Sequence, residues 1–554
     1  MAPAALEGLA FADVTDQVGL DYTPAGGNED FALPTMTAGL ALTRVGSALR
    51  VLLTSPSGPV GLFEVRDGRF RDITRHAGLH KIGSATAAAF ADLDGDGDAD
   101  LLLGRREHGV VTVLRNVEGR YRDVTKAVGV NPSTTARNPA GDKPDTRGIA
   151  LADVNGDGHL DFLVADINRS MFGGAVYAPE DGGDAAACDF HAKLQHLSGP
   201  DIKRISQTRL YLGSAGGRFT EATASWGLDF DTSLVHTPQF VDINADALPD
   251  LLVTGPVCSN RVFLNDGGRR FAEVADFGGA DVPQGNGSVV RDFDGDEVPD
   301  WLITGIAFPT ATRACPAGNP LSSCAGNALL LGNGDGTFRR VPDADGLVDA
   351  GWAFGAVAED FTNTGDLQVA VTNGFTGAPA ATEETEDTQG AVYFGRFEQD
   401  PLALFVRENG RFVDAAAQIG LTDTGAGRGM AALDYDDDGR LDLLVNNADT
   451  GPRVFRNVTP ATGRHWLRVA LNNTGSSTNR SAVGSRIRVT TGSGRISTTW
   501  ITSNGSFETQ SLPEMHVGLG EEDGPVRVEV WWPHETTPDV HERVAIDQSV
   551  VIQR

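Results

Sequence analysis

One nine-residue pattern recurs along the chain in a constant frame: Asp-x-Asp/Asn-x-Asp-x-x-x-Asp, followed at once by a short apolar run. Full copies lie at 92–100, 153–161, 242–250, 292–300 and 434–442. A reduced copy, Asp360-Phe-Thr-Asn-Thr-Gly-Asp-Leu-Gln368, keeps the frame and loses most of the acids, and Ala38–Val45 has the strand pattern with no acidic loop. A second motif, Phe-x-Asp-Val-Thr-x-x-x-Gly-Leu, alternates with the first. Its aromatic residue is Phe11, Phe70, Tyr121, Phe219, Phe271, Phe338 and Phe412. Between the two motifs, runs such as Val113–Asn116, Val262–Asn265 and Val454–Asn457 end in Asn. Each unit therefore reads as four short strands separated by turn signals. One such sheet cannot bury both of its faces, whereas units stacked radially can, and the ring also protects their edges. The expected fold is all-β: a seven-bladed β-propeller over 1–460, with the Phe11 strand completing the last blade. Residues 461–554 alternate apolar and polar at Leu467, Val469, Leu471, then Ile487, Val489, then Val526, Val528, Val530. Period two predicts half-buried strands, hence a small C-terminal β-sandwich or barrel-like domain.

The loop composition points to calcium, which takes about 6–8 oxygen ligands, many from carboxylates. Positions one, three, five and nine are Asp92, Asp94, Asp96, Asp100; Asp153, Asn155, Asp157, Asp161; Asp242, Asn244, Asp246, Asp250; Asp292, Asp294, Asp296, Asp300; and Asp434, Asp436, Asp438, Asp442. Position seven is Asp98, His159, Leu248, Val298 or Arg440, and this indifference to side chain fits a main-chain carbonyl ligand. Gly at position four or six in four of the loops allows a tight turn, and the loop with Ala245 and Ala247 is the weakest. An EF-hand is excluded, because that loop has about twelve residues, ends in Glu and is flanked by helices. About five calcium ions with a mainly structural role are expected, since the clustered carboxylates repel until a cation relieves them.

The formal net charge of −30 argues against nucleic acid or an anionic membrane surface as partner. The five full loops hold 20 of the aspartates, so much of the acidity belongs to the loops. No apolar run is long enough to span a membrane, so no membrane insertion is expected. The start, Met1 to Gly8, lacks the basic and apolar regions of a signal peptide, which leaves a cytoplasmic protein or one whose signal has been removed. A monomer is expected.

In a four-stranded blade the acidic loop joins the first two strands, so the long insertions at 131–146, 166–208, 305–328 and 372–400 fall on the opposite face. Long insertions in a compact fold are where binding residues concentrate. Tyr177, His191, His196, Lys203 and Arg204 lie in one of them, and His236 lies in a blade-to-blade connection on the same side. Tyr177, His191, His196, Arg204 and His236 are the candidates for a catalytic role. All four cysteines map to this face; in an oxidising compartment Cys315 would pair with Cys324, and Cys188 with Cys258. No nucleophile elbow, phosphate-binding loop, His-Glu-x-x-His or dinucleotide fingerprint is present.

These repeats resemble the FG-GAP/VCBS repeats of integrin α-subunit propellers, over about residues 11–460. The stretch from His465-Trp-Leu-Arg-Val through Arg480-Ser-Ala-Val-Gly484, with Met515-His-Val-Gly-Leu-Gly520 and Val526-Arg-Val-Glu-Val-Trp-Trp-Pro533, resembles the ASPIC/UnbV domain. The combination is similar to the cartilage acidic protein 1 family, which implies a calcium-binding propeller with a β-rich C-terminal module, mostly in secreted or surface proteins. The UnbV name also attaches to bacterial enediyne gene clusters. Two functions follow. The first is a ligand-binding or adhesion module working through the face opposite the calcium loops, its ligand a protein, a glycan or a small molecule. The second is a cytoplasmic enzyme or binding protein of specialised metabolism using a pocket on that same face.

Overall fold

The computed structural model describes residues 8–24, 37–56, 58–105, 111–130, 145–167, 206–230, 233–256, 258–279, 282, 284–307, 326–375, 397–460 and 463–554. Seven four-stranded antiparallel units follow one another in the chain. Their inner strands are Leu40–Val45, Ala88–Ala91, Asp145–Ala152, Thr237–Val241, Ser288–Arg291, Ala356–Glu359 and Gly427–Leu433, and they define blades 1 to 7. The insertion boundaries read from sequence overrun blade 3: Asp145 and Thr146 belong to its inner strand, and Asp166 and Ile167 to its second. A bulge between Thr146 and Gly148 lets that inner strand run longer than the repeat suggests.

Apolar contact runs around the whole ring. Leu101 and Leu103 of blade 2 pack with Ala41 and Leu52 of blade 1, while Leu102 packs with Ile149 and Phe162 of blade 3. The second strand of a blade is thus covered on both faces, which is why Leu-Leu-Leu runs unbroken there rather than alternating. The circle closes as the sequence suggests. Phe11–Asp13 pairs with Arg453–Asn457 as the outer strand of blade 7, with Phe11 opposite Asn457. Phe11 itself packs with Leu404, Leu443 and Phe455, across blades 6 and 7.

The second motif is a device for joining blades. Its Thr accepts a main-chain N–H from the third strand of its own blade: Leu62 N to Thr74 Oγ1 at 2.8 Å, and Val454 N to Thr15 Oγ1 at 2.9 Å across the closure. Its Gly has positive φ and faces the aromatic residue's carbonyl in the next copy. A Cβ on Gly129 would lie 2.5 Å from the Phe219 oxygen, and one on Gly420 would lie 2.4 Å from that of Phe11. Only glycine satisfies both conditions.

The C-terminal module is a two-sheet sandwich. One sheet contains His465–Asn472, Glu514–Gly520 and Gln548–Gln553; the other contains Ile496–Trp500, Arg486–Thr490, Val526–Trp531 and Asp539–Val544. Leu467, Val469 and Val517 of the first meet Ile487, Val489 and Val528 of the second in a shared core.

The crossing between these sheets, residues 501–513, enters the propeller's central channel. Thr509–Gln510 adds a short parallel strand to blade 1, with Leu40 opposite Thr509. Gln510 brackets Phe90 of blade 2, accepting its N–H at 2.6 Å and donating to its carbonyl at 2.9 Å. Ser503 Oγ accepts from Leu151 N of blade 3 at 2.6 Å, and Asn504 donates to the Pro238 carbonyl of blade 4 at 2.7 Å. Ser506 Oγ accepts from Ala356 N of blade 6 at 2.7 Å, and Thr509 Oγ1 from Met430 N of blade 7 at 3.2 Å. Six inner strands are therefore hydrogen-bonded to one plug. A buried polar segment is stable only when its groups are paired, and these inner strands supply the partners.

Candidate metal centres

Each acidic loop is wound by its own carboxylates. At position one, Oδ2 of Asp92, Asp153, Asp242, Asp292 and Asp434 accepts the N–H of the residue five further on, at 2.9–3.0 Å. At position nine, both oxygens are used. Oδ2 of Asp100, Asp161, Asp250, Asp300 and Asp442 accepts from position two, and Oδ1 accepts from the third strand, as in Asn116 N to Asp100 at 2.7 Å and Asn457 N to Asp442 at 2.7 Å. The Asn at the end of the third strand tethers the loop: Asn265 Nδ2 donates to Pro249 and to Val154 of the neighbouring blade. Positions four and six take positive φ even where they are Ala245, Ala247, Glu297 or Asp437. The weakest loop by sequence thus adopts the same turn, at an order-of-magnitude cost of ~1 kcal/mol per non-glycine residue.

Carboxylate oxygens converge inside this frame. Asp92, Asp94 and Asp96, then Asp292, Asp294 and Asp300, then Asp434, Asp436 and Asp442 each bring one ligand oxygen within 4.8 Å of the others, a spacing that could hold a metal ion. In the remaining two loops Asn155 Nδ2 donates to Asp157 at 3.1 Å and Asn244 Nδ2 to Asp246 at 3.1 Å, so an amide bridges part of the cluster. Burial pushes Asp100 up to about 7, Asp250 to about 8, Asp300 to about 7 and Asp434 to about 6, and neighbouring aspartates add to the rise. Asp436 Oδ1 is buried without a hydrogen-bond partner. An all-oxygen set with a surplus of negative charge and an orphaned oxygen fits a hard divalent cation.

The reduced loop of blade 6 is an internal comparison. Gln368 at position nine still accepts the Phe361 N–H at 2.7 Å, but its Nε2 turns inward and donates to the Asp366 carbonyl at 2.7 Å. Thr362 and Thr364 hydroxyls bond each other at 2.8 Å where the other loops carry acids. The same fold is held with an N–H and two hydroxyls in place of repelling carboxylates. Restoring the acids with Thr362→Asp, Thr364→Asp and Gln368→Asp is expected to add one bound calcium per chain, counted by native mass spectrometry against the parent protein.

The C-terminal module sits against this face. Arg480 Nε lies 3.3 Å from Asp92, Arg468 Nη2 3.2 Å from Asp437, and Arg488 Nη1 3.1 Å from Glu297. His534 bonds the Asp153 carbonyl at 2.9 Å, and Ser477 Oγ donates to the Gly158 carbonyl at 2.6 Å. His516 reaches Asn363 of the reduced loop at 2.8 Å; burial and nearby Arg468 lower its pKa to about 3, so it docks as a neutral ring. Nothing in the sequence reading anticipated these contacts.

Of the residues singled out for the opposite face, only His236 and Cys258 are described. His236 is 2% exposed, and burial together with Arg147 lowers its pKa to about 3. Cys258 is disulfide-bonded. Tyr177, His191, His196, Lys203, Arg204, Cys188, Cys315 and Cys324 lie outside the described residues. Sequence reasoning missed a register that contains His236. Six residues before the first acid of each loop stand Thr86, Arg147, His236, Asn286, Phe354 and Arg428, with Ala38 at the matching place in blade 1. Aligning the repeats on that acid would have exposed it.

Comparison with known families agrees with both parts. Residues 475–554 match the ASPIC and UnbV family, and residues 50–103 and 242–303 match the FG-GAP-like repeat. The chain therefore carries FG-GAP-like repeats and a C-terminal ASPIC/UnbV domain. No curated protein matches it. Among solved structures it is similar to the rhamnogalacturonan lyase YesW, at 12% identity and a TM-score of 0.38, over 82% of this chain and 76% of that one. It is also similar to the exotype rhamnogalacturonan lyase YesX, at 12% identity and a TM-score of 0.32, over 94% and 92%. An arginine triple mutant of AofleA from Arthrobotrys oligospora aligns at 10% identity and a TM-score of 0.32, over 72% and 91%.

Proposed function

We propose that this protein is a calcium-stabilised propeller that binds a ligand at the end of its channel opposite the acidic loops. The observation that carries the reading is the position of the C-terminal module. It packs against the loop face through Arg468, Arg480, Arg488 and His534 and fills the channel with residues 501–513. The opposite end is where the seven-residue register at the start of the inner strands converges. Its side chains, Ala38, Thr86, Arg147, His236, Asn286, Phe354 and Arg428, differ from blade to blade, as expected where recognition is specific. On this reading all five full loops hold calcium and serve stability rather than chemistry. No described helix is long and apolar enough to cross a membrane.

The test is hydrogen exchange on the calcium-loaded protein against a panel of small organic molecules and oligosaccharides. Protection at the N-terminal ends of the inner strands is expected for any hit. Hits that protect only the acidic loops or the outer surface of the C-terminal module would sink the reading.

A further inference from the structure

Arg428 lies in the register at that end of the channel and is 0% exposed. Its Nη1 donates to the carbonyls of Gly374 at 2.9 Å and Gly427 at 2.8 Å, and its guanidinium lies 3.9 Å from the centroid of the Phe354 ring. The other edge, Nε with Nη2, is buried and has no hydrogen-bond partner. That edge is the side-on fork that matches the two oxygens of a carboxylate. Elsewhere in this chain it does that work: Arg44 holds Glu514 through Nε at 3.2 Å and Nη2 at 3.3 Å, and Arg261 grips Glu273 by the same pair of nitrogens, at 2.7 and 2.5 Å.

The nearby acids are committed to other donors. Glu508 lies 3.3 Å from Arg147 Nη1 and accepts the Ala38 N–H at 3.0 Å. Asp449 Oδ1 accepts from Ala426 and Thr450, each at 2.8 Å. A second group lies beside Phe507: the neutral His236 ring bonds Asn286 and the Gly285 main chain, and its Nδ1 is buried with no partner. Phe507, carried in by the plug, lies 5.7 Å from the His236 ring and 5.2 Å from Phe354.

We propose that the polar end of the channel is a carboxylate site. The free fork of Arg428 takes the acid group of a small molecule with an apolar body, His236 supplies a further hydrogen bond, and Phe507 of the C-terminal module forms the apolar floor. A carboxylate is favoured over a phosphate because Glu508 and Asp449 already act on Arg428 from close by, and a second negative charge on the ligand would add repulsion with them. The site is composite, since the module that covers the calcium face also supplies the floor at the other end. This inference rests on the ligand-binding reading above and narrows it to one chemistry.

Calorimetric titration of the full chain in calcium tests it, with benzoate, phenylacetate, neutral phenylacetamide and inorganic phosphate as probes. At least one of the two acids is expected to bind with one-to-one stoichiometry, and the amide and phosphate about tenfold or more weakly. Arg428→Lys keeps a charge but loses the fork, and is expected to weaken the acid by about tenfold or more. Glu508→Gln guards against a variant that fails to fold. It keeps the size and the acceptor for Ala38 while removing a negative charge, so above pH 8 it is expected to tighten the acid. Silence from both acids overturns the proposal, and so does binding that neither variant changes. Equal binding of the amide overturns it too, yet leaves a ligand at this end, so the broader reading then survives.

Discussion

Chelation is expected to lower the melting temperature by more than about 10 °C. A ligand that binds only the folded chain contributes ~2.7 kcal/mol per site at a hundredfold excess over its Kd, and the five full loops act in concert. The ion-free loops are a liability. Burial pushes Asp100, Asp250 and Asp300 to about 7, 8 and 7, so near neutrality each carboxylate either keeps a proton or stands charged among other charges. A divalent cation offsets both costs at once. Because these loops join the first two strands of blades 2, 3, 4, 5 and 7, loosening them frees the inner strands that line the channel. Calorimetry in millimolar calcium and in EDTA, at more than one scan rate to account for irreversible unfolding, gives the comparison. Identical curves, with no calcium retained on purification, would reduce the loops to ordinary turns.

The ring was legible because its signals are local and repeated. The Asp-x-Asp/Asn-x-Asp frame places the same two strands each time, and the Phe-x-Asp-Val-Thr copy at residue 11 announces a strand with no blade of its own, which is the strand that closes blade 7. The tight turn was legible where position four or six is glycine, but not at Ala245, Ala247, Glu297 and Asp437, which take the same positive φ with no glycine to announce it. The plug was not. Ser503–Ser511 is short and polar and has no period, so it reads as a loop, and its partners are far away in the chain, as with Glu508 and Ala38. Its meaning depends on a channel that exists only once seven blades have closed. The net charge was half legible. The loops hold 20 aspartates, but part of the counter-charge is built in, since Arg468, Arg480 and Arg488 of the C-terminal module face that rim. The two loops richest in aspartate, 92–100 and 434–442, are the ones that Arg480 and Arg468 approach.

Glu508→Ala should be the most damaging single change in the C-terminal module, at ~3–5 kcal/mol. The residue is 1% exposed and belongs to the plug, where it meets Ala38 of blade 1 and Arg147 of blade 3. Its carboxyl accepts from Ala38 N at 3.0 Å and lies 3.3 Å from Arg147 Nη1, and Arg147 is itself 1% exposed. Burial pushes the Glu508 carboxyl up to about 8 against the pull of Arg147 and Arg428, so the group is held by partners rather than by solvent. Alanine would remove the carboxyl beside Arg147 and strip the Ala38 N–H of its acceptor, and a buried donor without an acceptor keeps its full desolvation cost. The loss should also be felt away from the mutation, because the plug joins the module to six inner strands: hydrogen exchange should rise together at Leu40, Phe90, Leu151 and Met430. Pairing the change with Arg147→Met separates charge from shape. Replacing both partners of a buried pair with apolar groups is often close to neutral, so Glu508→Leu with Arg147→Met should recover part of the stability that Glu508→Ala loses. If Glu508→Ala melts like the parent, the plug is a passenger in the channel, and the composite site argued above loses its floor.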